Sequence, residues 1–186
     1  GRVDILVNAA GGNVGRSRND NCPIFDVPFD ATDEVIRLNL HGTVYPCMVF
    51  GEVMGQQKKG AIVNISSMSA TQALSGTMGY SLAKAGIDSL TRWLANDLAH
   101  RFGDGIRVNA IAPGFFLSAQ NRDVLIKPDG SFTPRYQQIV AKTPMGRFGK
   151  PEELVGAVVY LCSDAASFVT GVILPIDGGF SAFTGV

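Results

Sequence analysis

Two side chains four residues apart could perform acid–base chemistry from one face of a helix. Tyr80 and Lys84 lie in the stretch GYSLAKAG (79–86), which has helical spacing, and residues at i and i+4 share a helix face. An ammonium group favours phenolate over phenol, so we expect Lys84 to lower the pKa of Tyr80 from its ordinary value of about 10 toward neutral pH. The alternative is a surface contact without function, since this spacing also arises by chance.

A hydroxyl group earlier in the chain could join this pair. Ser67 ends the apolar stretch AIVNISS (61–67), shortly before Tyr80. The end of a strand and the start of a helix could therefore bring hydroxyl and phenol to one point. The structural alternative for Ser67 is a turn at the end of the strand.

An asparagine inside a predicted helix is a further candidate. Asn39 has poor helix propensity, and Pro46 cannot donate a hydrogen bond to the carbonyl of Gly42. We expect the helix to be distorted over 39–46, with backbone groups free to bind a water molecule. The alternative for Asn39 is a local hydrogen bond to the backbone.

The hydrophobic pattern predicts the elements that must position these residues. Four stretches are almost continuously apolar, which is typical of strands buried on both faces of a parallel sheet. They are VDILVNAA (3–10), AIVNISS (61–67), IRVNAIAP (106–113) and GVILPIDGG (171–179). Helical spacing predicts helices over about 31–57, 78–102 and 151–162, with Thr32 as the N-cap of the first. This order predicts an α/β fold with a doubly wound parallel sheet.

One segment departs from this regular pattern. Residues 117–150 contain three prolines together with aromatic, Asn, Arg and Gly residues. The segment follows the carboxyl end of a predicted strand, where doubly wound sheets bind their ligands. We therefore expect it to cover the substrate within one domain, 1–186.

Composition and charge exclude several classes of protein. Sixteen basic residues balance sixteen acidic ones, which argues against nucleic acid as a partner. The chain has no apolar run of the roughly 20 residues that span a bilayer, and its first residues do not resemble a secretion signal. The three cysteines show no C-x-x-C spacing, which indicates reduced thiols in the cytoplasm.

The sequence contains one weak candidate for a phosphate-binding loop. GGNVG (11–15) follows the first predicted strand, but RSRNDNCP comes next and does not begin a helix. A simple turn is the better interpretation. The strand, glycine-rich turn and helix that usually begin a dinucleotide-binding sheet do not precede Asp4.

Together these residues resemble the classical short-chain dehydrogenase/reductase family. The set Asn39, Ser67, Tyr80 and Lys84 is accompanied by NAAGG after the first strand and NAIAPGFF at the third, in the order and spacing of the family. Within it the chain is most similar to the D-mannonate oxidoreductase (fructuronate reductase) branch. That likeness rests on NAAGGN, APGFFLSAQNR, TPMGRFGKPEEL and DGGFSAFTGV. The resemblance implies strands four to seven, the carboxy-terminal portion, of a Rossmann-type fold.

The resemblance also implies a catalytic role for each of four residues. Tyr80 would pass a proton to or from the substrate oxygen, and Ser67 would hydrogen-bond and orient that oxygen. Lys84 would bind the nicotinamide ribose and lower the pKa of Tyr80. Asn39 would hold a water that connects Lys84 to solvent. The implied cofactor is NAD(H) or NADP(H), which carries the redox chemistry, and no metal is expected.

The cofactor-binding positions implied by the family lie mainly at the ends of the first three predicted strands. They are Asn8, Ala9, Ala10, Gly11, Ile65, Tyr80, Lys84, Pro113, Gly114, Phe116 and Ser118. Ser118 stands where the family usually has Thr, and both residues offer a hydroxyl group.

The implied substrate is a sugar acid of the D-mannonate/D-fructuronate type, which Ser67 and Tyr80 would contact at the reacting oxygen. Its carboxylate needs a cation, and arginine offers a bidentate fork. The candidates are Arg16, Arg18, Arg122 and Arg147. Arg122 is preferred because it follows the strand end nearest the nicotinamide. The alternative for each is a solvated arginine or a structural ion pair.

Two other functions remain open. One is another short-chain reductase, acting on a 3-oxoacyl thioester or on gluconate. The other is a non-catalytic fragment that retains only an assembly surface, since the helices at 31–57 and 78–102 resemble those of the family's four-helix subunit interface. The resemblance therefore implies a homo-oligomer, a dimer or a tetramer.

The family pattern further indicates that the 186 residues are a partial sequence. The glycine-rich turn T-G-x-x-x-G-x-G, and the residue that selects NAD or NADP, would both lie before Gly1. We expect the strand at 3–10 to expose an apolar edge that a missing strand would cover.

Overall fold

A four-stranded parallel sheet forms the centre of the computed structural model, which describes residues 1–117 and 121–185 apart from the side chain of Asp123. Its strands are β1 (Ile5–Asn8), β2 (Gly60–Ile65), β3 (Ile106–Pro113) and β4 (Ile173–Ile176), and they follow one another across the sheet in chain order. The register pairs Ile5 with Ala61 and Ala61 with Arg107. The α/β class and the four predicted strands are confirmed.

Helices cover both faces of this sheet. They are α1 (Phe29–Ile36), α2 (Gly42–Gln57), α3 (Met78–Phe102), α4 (Arg122–Leu125), α5 (Pro134–Lys142) and α6 (Val155–Cys162). Neighbouring residues of a strand point to opposite faces, and β2 shows how this builds two cores. Ile62 packs with Cys47 of α2 and Leu98 of α3, whereas Val63 packs with Leu161 of α6.

The first predicted helix is continuous but contains a wider turn in its middle. A π-helical turn, Arg37–His41, separates α1 from α2, so the expected distortion is present around Asn39. Pro46 itself lies within the regular helix α2. Thr32 is not the N-cap, because α1 begins one turn earlier at Phe29 and the Thr32 hydroxyl donates to the carbonyl of Pro28.

The segment 117–150 contains the two short helices α4 and α5, which the sequence interpretation left as irregular. Thr133 caps α5 by accepting a hydrogen bond from the Tyr136 amide, and Pro134 stands at the first helical position, where proline is favoured. Leu125 and Ile139 are buried beside Phe148 in a small core of their own. This core holds the segment over the carboxyl end of β3.

The outer edge of the sheet is apolar and open. Ile5 and Val7 of β1 are 52% and 40% exposed, as expected for a strand that pairs on one side with β2. Within the described parts of the chain, no helix is both long enough and apolar enough to cross a bilayer.

Candidate active site

The carboxyl ends of three neighbouring strands bring the predicted site residues to one edge of the sheet. β1 ends at Asn8, β2 at Ile65 and β3 at Pro113, and parallel strands place such ends side by side. The Asn8 side chain is buried and donates to the amide oxygen of Asn64 over 2.9 Å, which ties β1 to β2. Residues that follow these ends therefore lie close together in space.

The Ser67 hydroxyl lies beside the Tyr80 phenol, close enough to lower its pKa, and both residues line one cavity. Ser67 follows β2, and Tyr80 lies in the first turn of α3. The Ser67 Oγ atom also accepts hydrogen bonds from the backbone and the hydroxyl of Ser69, at 3.1 and 3.0 Å. Because Ser67 accepts these two bonds, its own proton is left to donate toward the phenol or a ligand.

The Lys84 ammonium lies next to this pair but does not control the phenol as expected. Its Nζ atom is 5.4 Å from the centre of the Tyr80 ring and donates to the carbonyl of Ile65 over 2.7 Å. Burial raises the pKa of Tyr80 above its ordinary value, and the hydrogen bond with Ser67 opposes this only in part. The prediction that the pKa of Tyr80 is lowered is therefore wrong for the chain by itself, since desolvation of the phenol is the largest effect on it.

Burial acts on Lys84 as well. It lowers the pKa of Lys84 to about 8, and the carboxylate of Asp88 opposes the shift. Asp88 is buried one turn along α3 and hydrogen-bonds to the Ser66 hydroxyl. Because the pKa of Lys84 is only about 8, its ammonium group can lose and regain a proton close to neutral pH.

Asn39 is fully buried and holds the loop that follows β1. Its side-chain amide donates to the carbonyls of Gly12 and Val35, both at 2.8 Å, and its Oδ1 atom accepts from the Gly12 amide at 3.0 Å. The Asn39 carbonyl, expected to be free for a water, already accepts a hydrogen bond from the Thr43 hydroxyl at 2.9 Å. A carbonyl oxygen has a second lone pair, so its proposed water-binding role stays a prediction.

A cavity of about 220 Å³ opens between the Ser67–Tyr80 pair and the segment over β3. Leu125 and Ile139 form an apolar wall, and Gly114 lies at its base. The volume is below the range of about 300–1,000 Å³ that is usual for drug-sized ligands, so the cavity suits a small molecule. Three polar side chains that line it were not predicted as site residues: Asn13, Thr77 and Asn121. The signal for two of them was present, because Asn13 lies in NAAGGN and Asn121 in APGFFLSAQNR.

Three of the four candidate substrate arginines are not among the residues that line this cavity: Arg16, Arg122 and Arg147. Arg147 forms a bidentate ion pair with Glu153, at 2.8 and 2.7 Å, so its guanidinium group is engaged in a structural contact. Arg147 also lines a different cavity. Arg122 is exposed and is not among the residues that line the Tyr80 cavity, because α4 turns Val124 and Leu125 toward it instead.

The arginines that do line the Tyr80 cavity are Arg18 and Arg135. Arg18 was one of the candidates, whereas Arg135 was missed. The Thr-Pro pair at 133–134 was the available signal, since it marks the start of the helix that carries Arg135. A remaining candidate, Arg16, pairs with Asp30 on the exposed surface.

Some of the predicted cofactor positions lie together near Lys84, and the chemistry of Gly11 and Lys84 fits a nicotinamide ribose. A lysine ammonium has three donors, and the Ile65 carbonyl uses one of those on Lys84. A Cβ atom at Gly11 would lie 2.5 Å from Asn39 Oδ1 and 3.7 Å from Lys84 Nζ, so only glycine keeps this space open.

Other predicted cofactor positions are spread further apart. Ala9 and Ala10 are exposed after β1, and Gly114 lines the Tyr80 cavity. Phe116 lines the neighbouring cavity with Arg147 instead. Ser118 lies outside the described residues.

The chain is similar in sequence and structure to known proteins. Residues 1–181 match a family model described as enoyl-(acyl carrier protein) reductase. An "uncharacterized oxidoreductase UxuB" from Bacillus subtilis is 43% identical over all of this chain and 69% of its own length.

Two solved structures are similar over almost the whole chain. A "putative D-mannonate oxidoreductase" from Haemophilus influenzae with bound NAD is 43% identical, with a TM-score of 0.92 over 100% of this chain and 70% of that one. A gluconate 5-dehydrogenase from Burkholderia cenocepacia, in complex with NADP and tartrate, is 32% identical, with a TM-score of 0.86 over 99% and 67%.

Proposed function

The chain belongs to the short-chain dehydrogenase/reductase family, and from this we propose that it interconverts a secondary alcohol and a ketone with NAD(H) or NADP(H). The observation that carries the proposal is that Ser67 and Tyr80 line the same small cavity, with the Lys84 ammonium behind the phenol. Two relatives bound to NAD and NADP support the class of cofactor.

In the reductive direction the chain supplies a proton and two hydrogen bonds. A nicotinamide cofactor held beside Lys84 would supply the hydride for the substrate carbon. Tyr80 is protonated at neutral pH because burial raises its pKa, so it is ready to donate to the oxygen of the reduced carbonyl. Ser67 donates a hydrogen bond to the same oxygen and fixes its position.

Lys84 and Asn39 complete the site. The Lys84 ammonium faces the cofactor edge with donors to spare, which suits the two hydroxyl groups of a ribose. Its positive charge also stabilises the phenolate that forms after proton transfer. Asn39 is proposed to hold a water at its carbonyl, through which the proton is replaced from solvent.

The proposed substrate is a small polyhydroxy acid of the D-mannonate/D-fructuronate type. Support comes from the relative described as a putative D-mannonate oxidoreductase and from the small volume of the cavity. Segment 117–150 is proposed to cover this substrate, since Leu125 and Ile139 already form one wall of the cavity.

We also propose that copies of the chain associate through α2 and α3. Tyr45, Met48 and Val49 are 57%, 67% and 60% exposed along one face of α2, and Leu82 and Trp93 are 56% and 62% exposed on α3. Such a stripe of apolar side chains is typical of a subunit interface. This face is also what a non-catalytic assembly fragment would retain.

A titration with NADH and NADPH tests the proposed activity. Nicotinamide fluorescence should change on binding to the full-length protein that the family pattern indicates, and that protein should then reduce D-fructuronate. Replacing Tyr80 by Phe should leave binding intact and lower turnover by about 10²-fold or more. A flat fluorescence signal for both cofactors would contradict the proposal and favour the assembly fragment, whereas faster turnover of a 3-oxoacyl thioester or of 5-ketogluconate would reassign the substrate.

A further inference from the structure

Two arginines from distant parts of the chain meet on one aspartate at the mouth of the Tyr80 cavity. The Nε atom of Arg18 donates to Asp20 Oδ2 over 2.6 Å, and Nη1 of Arg135 donates to Asp20 Oδ1 over 3.3 Å. Arg18 and Asp20 follow β1, whereas Arg135 lies in the first turn of α5. We call these three residues the arginine cluster.

The cluster leaves a positive charge facing the reacting groups. Two guanidinium groups and one carboxylate carry a net charge of about +1. Of the described residues that line the cavity, Arg18 and Arg135 are the charged ones. The hydrogen bond from Arg18 lowers the pKa of Asp20, so Asp20 stays ionised at neutral pH. One anionic group on a ligand would therefore balance the charge of the cluster.

The cluster still has donors to offer. Each guanidinium has five N–H groups in a planar fork that matches a carboxylate, and Asp20 engages one from each. The side chains of Arg18 and Arg135 are only 29% and 32% exposed. Since partial burial strengthens an ion pair relative to one in water, the cluster can bind an anion more firmly than a surface arginine does.

The arginine cluster lies where the acid group of a small substrate bound in the Tyr80 cavity could contact it. Arg18, Arg135 and Val124 line both the Tyr80 cavity and a more open cleft outside it. The cluster therefore stands between the solvent and the Ser67–Tyr80 pair. An anion held there would keep the rest of a small molecule inside the cavity, beside the two hydroxyl groups.

We propose that Arg18 and Arg135 together bind the carboxylate of the substrate, with Asp20 as the positioning residue that holds both guanidinium groups at the cavity mouth. This inference rests on the proposed function, because it assigns the acid group of that substrate. The carboxylate is thus assigned to Arg18 and Arg135, and not to Arg122 and Arg147, because the first two line the cavity that Ser67 and Tyr80 also line. This assignment makes the cluster the determinant of selectivity for sugar acids over neutral sugar alcohols.

Calorimetry with D-mannonate and D-mannitol tests the proposal, because the two ligands differ mainly in the carboxylate. The wild-type chain should bind D-mannonate more tightly. Arg135→Met and Arg18→Met should each weaken D-mannonate binding about tenfold or more, as expected for a lost charge-assisted hydrogen bond, and should change D-mannitol binding less than about twofold. Arg101→Met is the matched control, since Arg101 also pairs with an aspartate but lies at the end of α3.

Further variants separate binding from folding. If Arg135→Met does not fold, Arg135→Lys keeps the charge without the fork and should lose part of the preference for D-mannonate. Equal affinity of the wild-type chain for both ligands, or equal losses for both in the variants, would overturn the inference. If the arginine variants lose the preference for D-mannonate while the wild-type chain shows no turnover with any cofactor, the carboxylate site is supported and the proposed activity is contradicted.

Discussion

The ammonium nitrogen of Lys84 lies 5.4 Å from the centre of the Tyr80 ring and is hydrogen-bonded to the backbone of β2. Both side chains are largely withdrawn from water, and burial raises the pKa of Tyr80 while it lowers that of Lys84. At neutral pH both groups are therefore protonated, so the phenol holds a proton that it can donate to a ligand. This arrangement leads to two predictions about pH.

The first prediction concerns the phenol itself. In the absence of cofactor, the absorbance of the phenolate should show Tyr80 titrating above about pH 10, because its burial disfavours the charged form. The signal is isolated by subtracting the titration of Tyr80→Phe from that of the wild-type chain. Tyr160→Phe, which removes an exposed tyrosine outside the proposed interface, is the control. A midpoint near neutral pH would show that the charge of Lys84 outweighs burial.

The second prediction concerns stability. The pKa of Lys84 falls from an ordinary value of about 10.4 when unfolded to about 8 when folded, so the unfolded chain binds more protons between these values. Stability should therefore rise with pH across this window, and the cost of burying the charge is present in full below about pH 8. From about pH 7.5 to about pH 9.5 Lys84 by itself contributes a gain of about 2 kcal/mol, which the buried Cys47 thiol opposes because its pKa is raised to about 11.

Denaturant unfolding at several pH values measures this gain. Lys84→Met should lose it, whereas Lys59→Met, which removes an exposed lysine, should retain it. A pH dependence that is the same in wild type and Lys84→Met would contradict the assignment to Lys84.

The third prediction concerns Asn39, which holds the loop after β1 through three hydrogen bonds to Gly12 and Val35. Asn39→Ala should destabilise the chain by about 1–3 kcal/mol, because buried backbone groups lose their partners. Asn39→Asp keeps the acceptor but loses both donors and should also destabilise. Thermal unfolding checks both variants. Stability equal to wild type for Asn39→Asp would show that water replaces the amide donors.

The fourth prediction concerns assembly. Met48→Glu places a charge in the apolar stripe of α2 and should convert an oligomer into monomers, since an unpaired charge is costly to bury in an interface. Phe25→Glu, at a residue that is 91% exposed outside α2 and α3, should leave the assembly unchanged. Sedimentation measures both. A wild-type chain that sediments as a monomer would contradict the proposed interface.

Much of the fold was predictable because its signals are local. Continuous apolar stretches of β-branched residues predicted β2 and β3, since strands covered on both faces need no polar face. The i, i+4 spacing of Tyr80 and Lys84 and the position of Ser67 after a strand predicted which groups meet. The helix α5 was missed because its N-terminal signal, Thr133 followed by proline, lies among turn-forming residues.

Other features depend on contacts between distant parts of the chain. Arg135 and Asp20 are 115 residues apart in sequence, so their pairing at the cavity could not be inferred from spacing. Arg147 resembles a substrate ligand in the sequence, but in the structure its guanidinium group is paired with Glu153. Each arginine looked the same in the sequence, because only its neighbours in space distinguish an ion pair from a ligand.

The sequence by itself determined the order of strands and helices and the identity of the Ser67, Tyr80 and Lys84 set. Those depend on periodicity and on residue types a few positions apart. The tertiary structure decided the direction of the Tyr80 pKa shift and the choice of arginines at the cavity. Both follow from which groups lose contact with water, and burial is a property of the packed chain rather than of any short stretch of it.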